Sequence, residues 1–236
     1  MGFGNTIRAI FIKDLVSELR SKQLLPMMIM LGVLTVWVFR IATEGSAADS
    51  SVTGGAVLLL AILFSAILAS ERSFGVEEQN DCISGLVLAP VEAGDIYIGK
   101  LLVNFVMMSI FELAVVPVVL VLFNIEATGR WAGLIVVLVL VNIGISSVGT
   151  LLGGIVRETR AANRLLSILV MILLAPVMIP AIYAFSVLFG AGGGEAFGSG
   201  VLGMVGNLRS AAGHIAAFDA IFVTACWLLF GYVLGE

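Results

Sequence analysis

Long apolar runs dominate this sequence, and a chain that carries several of them has few ways to fold. Each run is about the length that a helix needs to cross the hydrocarbon of a bilayer, roughly 20 residues. The 236 residues are 60% hydrophobic and 12% charged, with a mean hydropathy of +1.15, whereas a soluble domain carries about a quarter charged residues. No soluble core of this size hides so much apolar surface, so the expected class is an all-α membrane protein with several spans. The net charge of −4 decides little, because in a membrane protein the position of a charge matters more than the sum.

The runs divide into six expected spans, at about 24–42, 52–70, 98–123, 131–156, 165–189 and 213–234, read as one permease unit over 1–236. Ahead of them, residues 5–22 place Ile7, Ile10, Phe11, Leu15 and Leu19 at three- and four-residue spacing, with Arg8, Lys13, Asp14, Ser17, Glu18 and Arg20 on the other side. That pattern predicts an amphipathic helix, too polar to span, lying in the interface with its basic residues toward lipid headgroups; the plainer alternative is a solvated helix packed on a partner. The first twenty residues do not read as a cleavable signal peptide. Ala61, Ser65 and Ala69 form a small-residue ridge in the second span, and Gly149 and Gly153 a small pair in the fourth, both suited to close helix approach. Arg40 is placed to snorkel at the end of the first span. Pro176 and Pro180 are expected to kink the fifth span, and the Gly-rich stretch 190–212 to hold a short re-entrant or surface helix.

Six spans put both ends of the chain on one face. Nine Lys and Arg (Arg8, Lys13, Arg20, Lys22, Arg72, Lys100, Arg157, Arg160, Arg164) then share that face, against Arg40, Arg130 and Arg209 on the other. The positive-inside rule places the nine in the cytoplasm, at an inner membrane.

Between the second and third spans lies a segment unlike its surroundings. Residues 71–100 hold six of the sixteen acids: Glu71, Glu77, Glu78, Asp81, Glu92 and Asp95. Asn80 and Asp81 can cap a helix with an acidic first turn. Ile83, Leu86 and Val87 share a face, Gly85 weakens the run by about 1 kcal/mol, and Pro90 ends it. The prediction is an aqueous connector holding a two-turn cytoplasmic helix whose apolar face docks on a soluble partner; otherwise Leu86 and Leu88 rest on the membrane surface. No G-x-x-x-x-G-K-[ST] phosphate loop occurs, so nucleotide would be handled by another polypeptide.

The connector reads E-R-x-F at Glu71, Arg72 and Phe74, then Leu86, Leu88 and Pro90, then Lys100 opening the next span. This resembles the ABC-2-type permease pattern and, within that class, the CcmB family, the haem exporter permease of cytochrome c maturation. K-D-L-x-x-E-L-R from Lys13, A-x-L-x-x-E-R-x-F from Ala66 and S-I-L-V-x-x-L-L-x-P-x-x-I-P from Ser167 are similar to that family and extend the resemblance over nearly the whole chain. Ser84-Gly85 departs from the broader class, where an acid followed by an apolar residue is common. The resemblance implies a non-enzymatic permease subunit paired with a CcmA-like ATPase that binds ATP and Mg, with two copies of each. CcmC-like and CcmD-like membrane subunits and a CcmE-like haem chaperone would complete the assembly. It implies haem as cargo of the complex, and ATP hydrolysis coupled to haem export or to release of the loaded chaperone. Glu71, Arg72, Phe74, Asp81, Ile83, Leu86, Leu88 and Pro90 become the expected coupling joint.

Other residues invite a role. Glu112 and Asp219 lie inside spans, where a carboxyl is expensive and suggests function; they pair with each other, line a wet cavity, or bond to backbone. Pro176 and Pro180 mark either a moving segment or tight packing. His214, the lone histidine, reads as an ordinary interfacial residue rather than an axial haem ligand. Cys82 reads as a small apolar residue, and the two cysteines are too few for a disulfide framework. No basic stripe with aromatics points to nucleic acid. The alternatives to the CcmB-like reading are another ABC-2-type exporter of lipid, drug or polysaccharide, and a secondary transporter using Glu112 and Asp219 as proton sites. The latter predicts an internal repeat, which the sequence lacks.

Overall fold

A computed structural model of the chain describes residues 3–45, 49–79, 93–125, 129–155, 162–191 and 205–235. Among them are seven α-helices and no strand: α1 (Phe3–Ser21), α2 (Leu24–Ala42), α3 (Ser50–Gln79), α4 (Ala93–Leu122), α5 (Trp131–Ile155), α6 (Ala162–Leu188) and α7 (Leu208–Gly235). All but α1 are long and apolar enough to cross a bilayer, so the chain is a multi-pass membrane protein. Lys22, at φ 50°, turns the chain from α1 into α2.

α5 and α3 are the most enclosed spans and α7 and α2 the most peripheral. α5 packs on α7, α6, α4 and α3, while α3 also packs on α6 and α2. The close approaches are made by small residues, because helix packing in lipid relies on backbone proximity rather than on a hydrophobic drive. Ala61, Ser65 and Ala69 are all buried, and the Ser65 hydroxyl donates to the Met28 carbonyl of α2 at 3.4 Å. Gly149 of α5 lies against the Ser70 hydroxyl of α3. Large side chains such as Met30, Leu113 and Val121 point outward, as a lipid-facing surface requires.

Several expectations are corrected. Residues 71–79, assigned to an aqueous connector, continue α3 as helix. The segment ERSFGVEEQ holds no proline, and extending an existing helix avoids the cost of nucleating a new one. α3 is thus about 45 Å long at 1.5 Å per residue, against a hydrocarbon core of about 30 Å. α4 begins at Ala93, five residues before the expected span, and α7 begins at Leu208, inside the stretch expected to hold a separate surface helix. α6 runs as one helix through Pro176 and Pro180, as spans can where neighbours compensate the lost backbone bonds. Arg40 bonds to the end of a neighbouring span. Its Nε donates to the Leu122 carbonyl at 2.7 Å and its guanidinium sits 6.0 Å from the centre of the Phe123 ring. Arg130 likewise donates to the Val187 carbonyl at 3.0 Å. Each arginine therefore caps the C-terminal end of another helix, where bare carbonyls and the helix dipole favour a cation.

Candidate functional site

α5 carries a polar stripe through the middle of the bundle. Asn142, Ser146 and Thr150 recur every four residues, so they share one face; with Ser147 they are all buried. α4 answers with Tyr97, Asn104, Ser109 and Glu112. The Asn142 amide donates to the Ser109 hydroxyl at 3.0 Å and to the Phe105 carbonyl at 3.1 Å. Its oxygen accepts from Ser146 at 3.0 Å. Asn104 donates to Thr150 Oγ1 at 3.0 Å, whose own proton goes to the Ser146 carbonyl at 2.7 Å. The Tyr97 and Ser147 hydroxyls are 2.7 Å apart. From Tyr97 to Glu112 this ladder runs about 22 Å along the helix axis, and it binds α4 to α5 across most of the membrane's depth. Satisfied polar networks of this kind rigidify a packed interior.

Glu112 closes the ladder at its far end. It is 5% exposed, Asn142 is close enough to act on its carboxyl, and its Oε1 has no hydrogen-bond partner. Asp219 lies elsewhere, on the α5–α7 seam, with its carboxyl pressed against Gly144. It too is 5% exposed and neither of its oxygens has a partner. The two carboxyls therefore do not pair, which removes one of the readings open to the sequence.

The other end of the ladder meets α1. Ile10 packs with Ile96, Tyr97, Leu151, Cys226 and Phe230 in a small separate core, and Gly99 of α4 leaves room for the Ile10 side chain. The Lys100 ammonium, buried at 5% exposure, is 3.7 Å from the Asp14 carboxylate of α1. The Tyr97 and Phe230 ring centres are 5.3 Å apart, with their planes tilted at 49°. α1 is thus seated on α4, one turn from the ladder's first rung.

Of the expected coupling residues, Glu71, Arg72 and Phe74 fall on the last turns of α3. Asp81, Ile83, Leu86, Leu88 and Pro90 lie outside the described residues, as do Cys82, Arg157 and Arg160. Pro180 is buried and Pro176 half-buried in α6. His214 is exposed, and its Nδ1 hydrogen-bonds the Ser210 carbonyl at 2.7 Å. Sequence reasoning passed over Tyr97, Asn104, Asn142, Ser146, Ser147 and Thr150. The four-residue recurrence of Asn142, Ser146 and Thr150 inside an apolar span was the available signal.

The family model for CcmB protein matches residues 5–224. The chain belongs to the CcmB family. The matched range takes in nearly all of α1, the first five spans, the connector and the first 17 residues of α7. Comparison with curated proteins finds no match. CcmB-family chains are permease subunits of the ABC transporter system that serves cytochrome c biogenesis and haem transport, and this chain is a transport subunit of that kind. The long α3 and α4 flank the connector.

Proposed function

We propose that this CcmB-family chain converts ATP-driven closure of a CcmA-like ATPase, carrying ATP and Mg, into movement of α3 and α4. The movement would serve haem export or the release of a haem-loaded CcmE-like chaperone. The observation that carries the reading is the family match over residues 5–224 joined to the shape of the two helices that flank the connector. α3 and α4 have 30 residues each, stiff enough to carry displacement from a docking helix at 80–90 into the bundle. Glu71, Arg72, Phe74, Asp81, Ile83, Leu86, Leu88 and Pro90 form the joint, and the α4–α5 ladder passes the motion inward to Glu112. Pro176 and Pro180 sit in α6, beyond α5. Nine basic residues on one face against three on the other support cytoplasmic ends in an inner membrane, with α1 along the inner leaflet. A second copy of the chain, with CcmC-like and CcmD-like subunits, completes the assembly.

Co-purification from the native membrane tests the reading. The chain should bring down an ATPase and a haem-handling protein, and Leu86→Asp with Leu88→Asp should lose the ATPase while the membrane subunits remain. Retention of the ATPase by that double variant would remove the joint from the connector.

A further inference from the structure

We infer that α1 carries a binding site for an anionic phospholipid headgroup, built by Lys13, Ser17 and Arg20; the inference rests on the reading that α1 lies along the inner leaflet. Lys13, Val16, Ser17, Arg20 and Ser21 line an open concavity of about 460 Å³, within the range of roughly 300–1,000 Å³ typical of small-ligand sites. The face of α1 that would meet the bilayer is not the face that packs on α4. Ile10 and Asp14 turn toward α4, whereas Ile12, Val16 and Leu19 stand about half exposed in a separate stripe. Lys13, Ser17 and Arg20 repeat that stripe's spacing one residue on, about 100° around the helix. An apolar stripe for acyl chain therefore adjoins a basic one for phosphate, at the depth where Lys and Arg snorkel.

The charges fit an anion. Among the described residues Arg20 makes no ion pair. Lys13 is 3.0 Å from the Asp14 carboxylate, which also faces buried Lys100; over residues 13–22, Lys13, Arg20 and Lys22 stand against Asp14 and Glu18, so this part of the chain carries a net positive charge. The Ser21 hydroxyl proton goes to the Glu18 carbonyl at 2.8 Å, which makes Ser17 the hydroxyl donor for a phosphate oxygen. A guanidinium, an ammonium and a hydroxyl on successive turns can donate to the two non-bridging oxygens of a phosphodiester, and an anionic lipid brings no cation of its own to face Lys13, as a zwitterionic lipid does.

The test uses the full chain in detergent, titrated with short-chain phosphatidylglycerol, phosphatidylcholine or inorganic phosphate and read by native mass spectrometry. Phosphatidylglycerol should be retained, and Lys13→Gln with Arg20→Gln should weaken it about 25-fold, each basic side chain near an anionic surface being a factor of about five. Equal retention of phosphatidylcholine, equal competition by inorganic phosphate, or no change in the double variant would each overturn the site. The variant's helicity by circular dichroism shows whether it has folded, and Arg20→Lys, which keeps the charge, should restore most of the binding in a Lys13 background. An environment-sensitive probe at Val16→Cys in vesicles separates the premise from the site: an aqueous signal refutes the placement of α1, and an interfacial signal without lipid selectivity refutes only the site.

Discussion

Gly144 and Asp219 show how much one missing side chain decides. A Cβ at residue 144 would collide with the Asp219 carboxyl, so glycine there is what lets an acid enter the α5–α7 seam. Neither carboxyl oxygen has a partner, and burying such a group without one costs about 1–3 kcal/mol on mutational scales. Asp219→Leu should therefore hold or raise thermal stability in detergent micelles; a loss of 2 kcal/mol or more would mean that the acid is satisfied in the assembled protein. Glu112 poses the reverse question, because Asn142 attends it. Glu112→Gln keeps its size and bonding capacity, so stability should stay within about 1 kcal/mol. If the acid serves the transport cycle, holocytochrome c formation in cells should fall at least tenfold, and wild-type levels would leave Glu112 a packing residue. At the other end of the ladder, Tyr97→Phe removes the hydroxyl 2.7 Å from Ser147 and should cost about 1 kcal/mol, measurable by thermal unfolding.

Among the elements, the spans were legible because hydropathy and length report the bilayer directly: α2 and α5 begin at the first residue that the apolar runs indicate. Helix ends were less so. Hydropathy falls at Glu71, yet α3 continues to Gln79, since leaving the membrane and leaving the helix are separate events. Conversely Pro176 and Pro180 look like breaks by local rules, but α6 absorbs them within a packed bundle. The ladder was the least legible feature. Its rungs join residues such as Tyr97 and Ser147, fifty positions apart, and no local pattern in α4 announces them. Where α3 crosses α5, Gly149 faces the Ser70 hydroxyl. Gly149→Leu should wedge the two apart and cost about 1–3 kcal/mol by overpacking, seen as a lower yield of monodisperse protein. Ser70→Gly should recover part of that loss, which distinguishes a steric wedge from a general defect.

For the molecule as a whole, orientation is the property most open to a direct check. A membrane-impermeant maleimide should label Cys82 in inverted vesicles stripped of peripheral protein and fail to do so in intact spheroplasts, while a Ser46→Cys variant should behave the opposite way. Cys226, at 2% exposure, should stay unlabelled in both. The reverse pattern would turn the chain over in the membrane and move the connector away from any cytoplasmic ATPase. The seat of α1 on α4, through Gly99, Ile10 and the Asp14–Lys100 pair, has a mechanical corollary. If α4 moves as proposed and α1 lies along the inner leaflet, the N-terminal helix is a float lashed to α4, and any tilt of α4 drags it through the headgroup layer. Surface viscosity then enters every turnover, and a stiffer leaflet should slow the cycle even where hydrolysis by the isolated ATPase is unchanged.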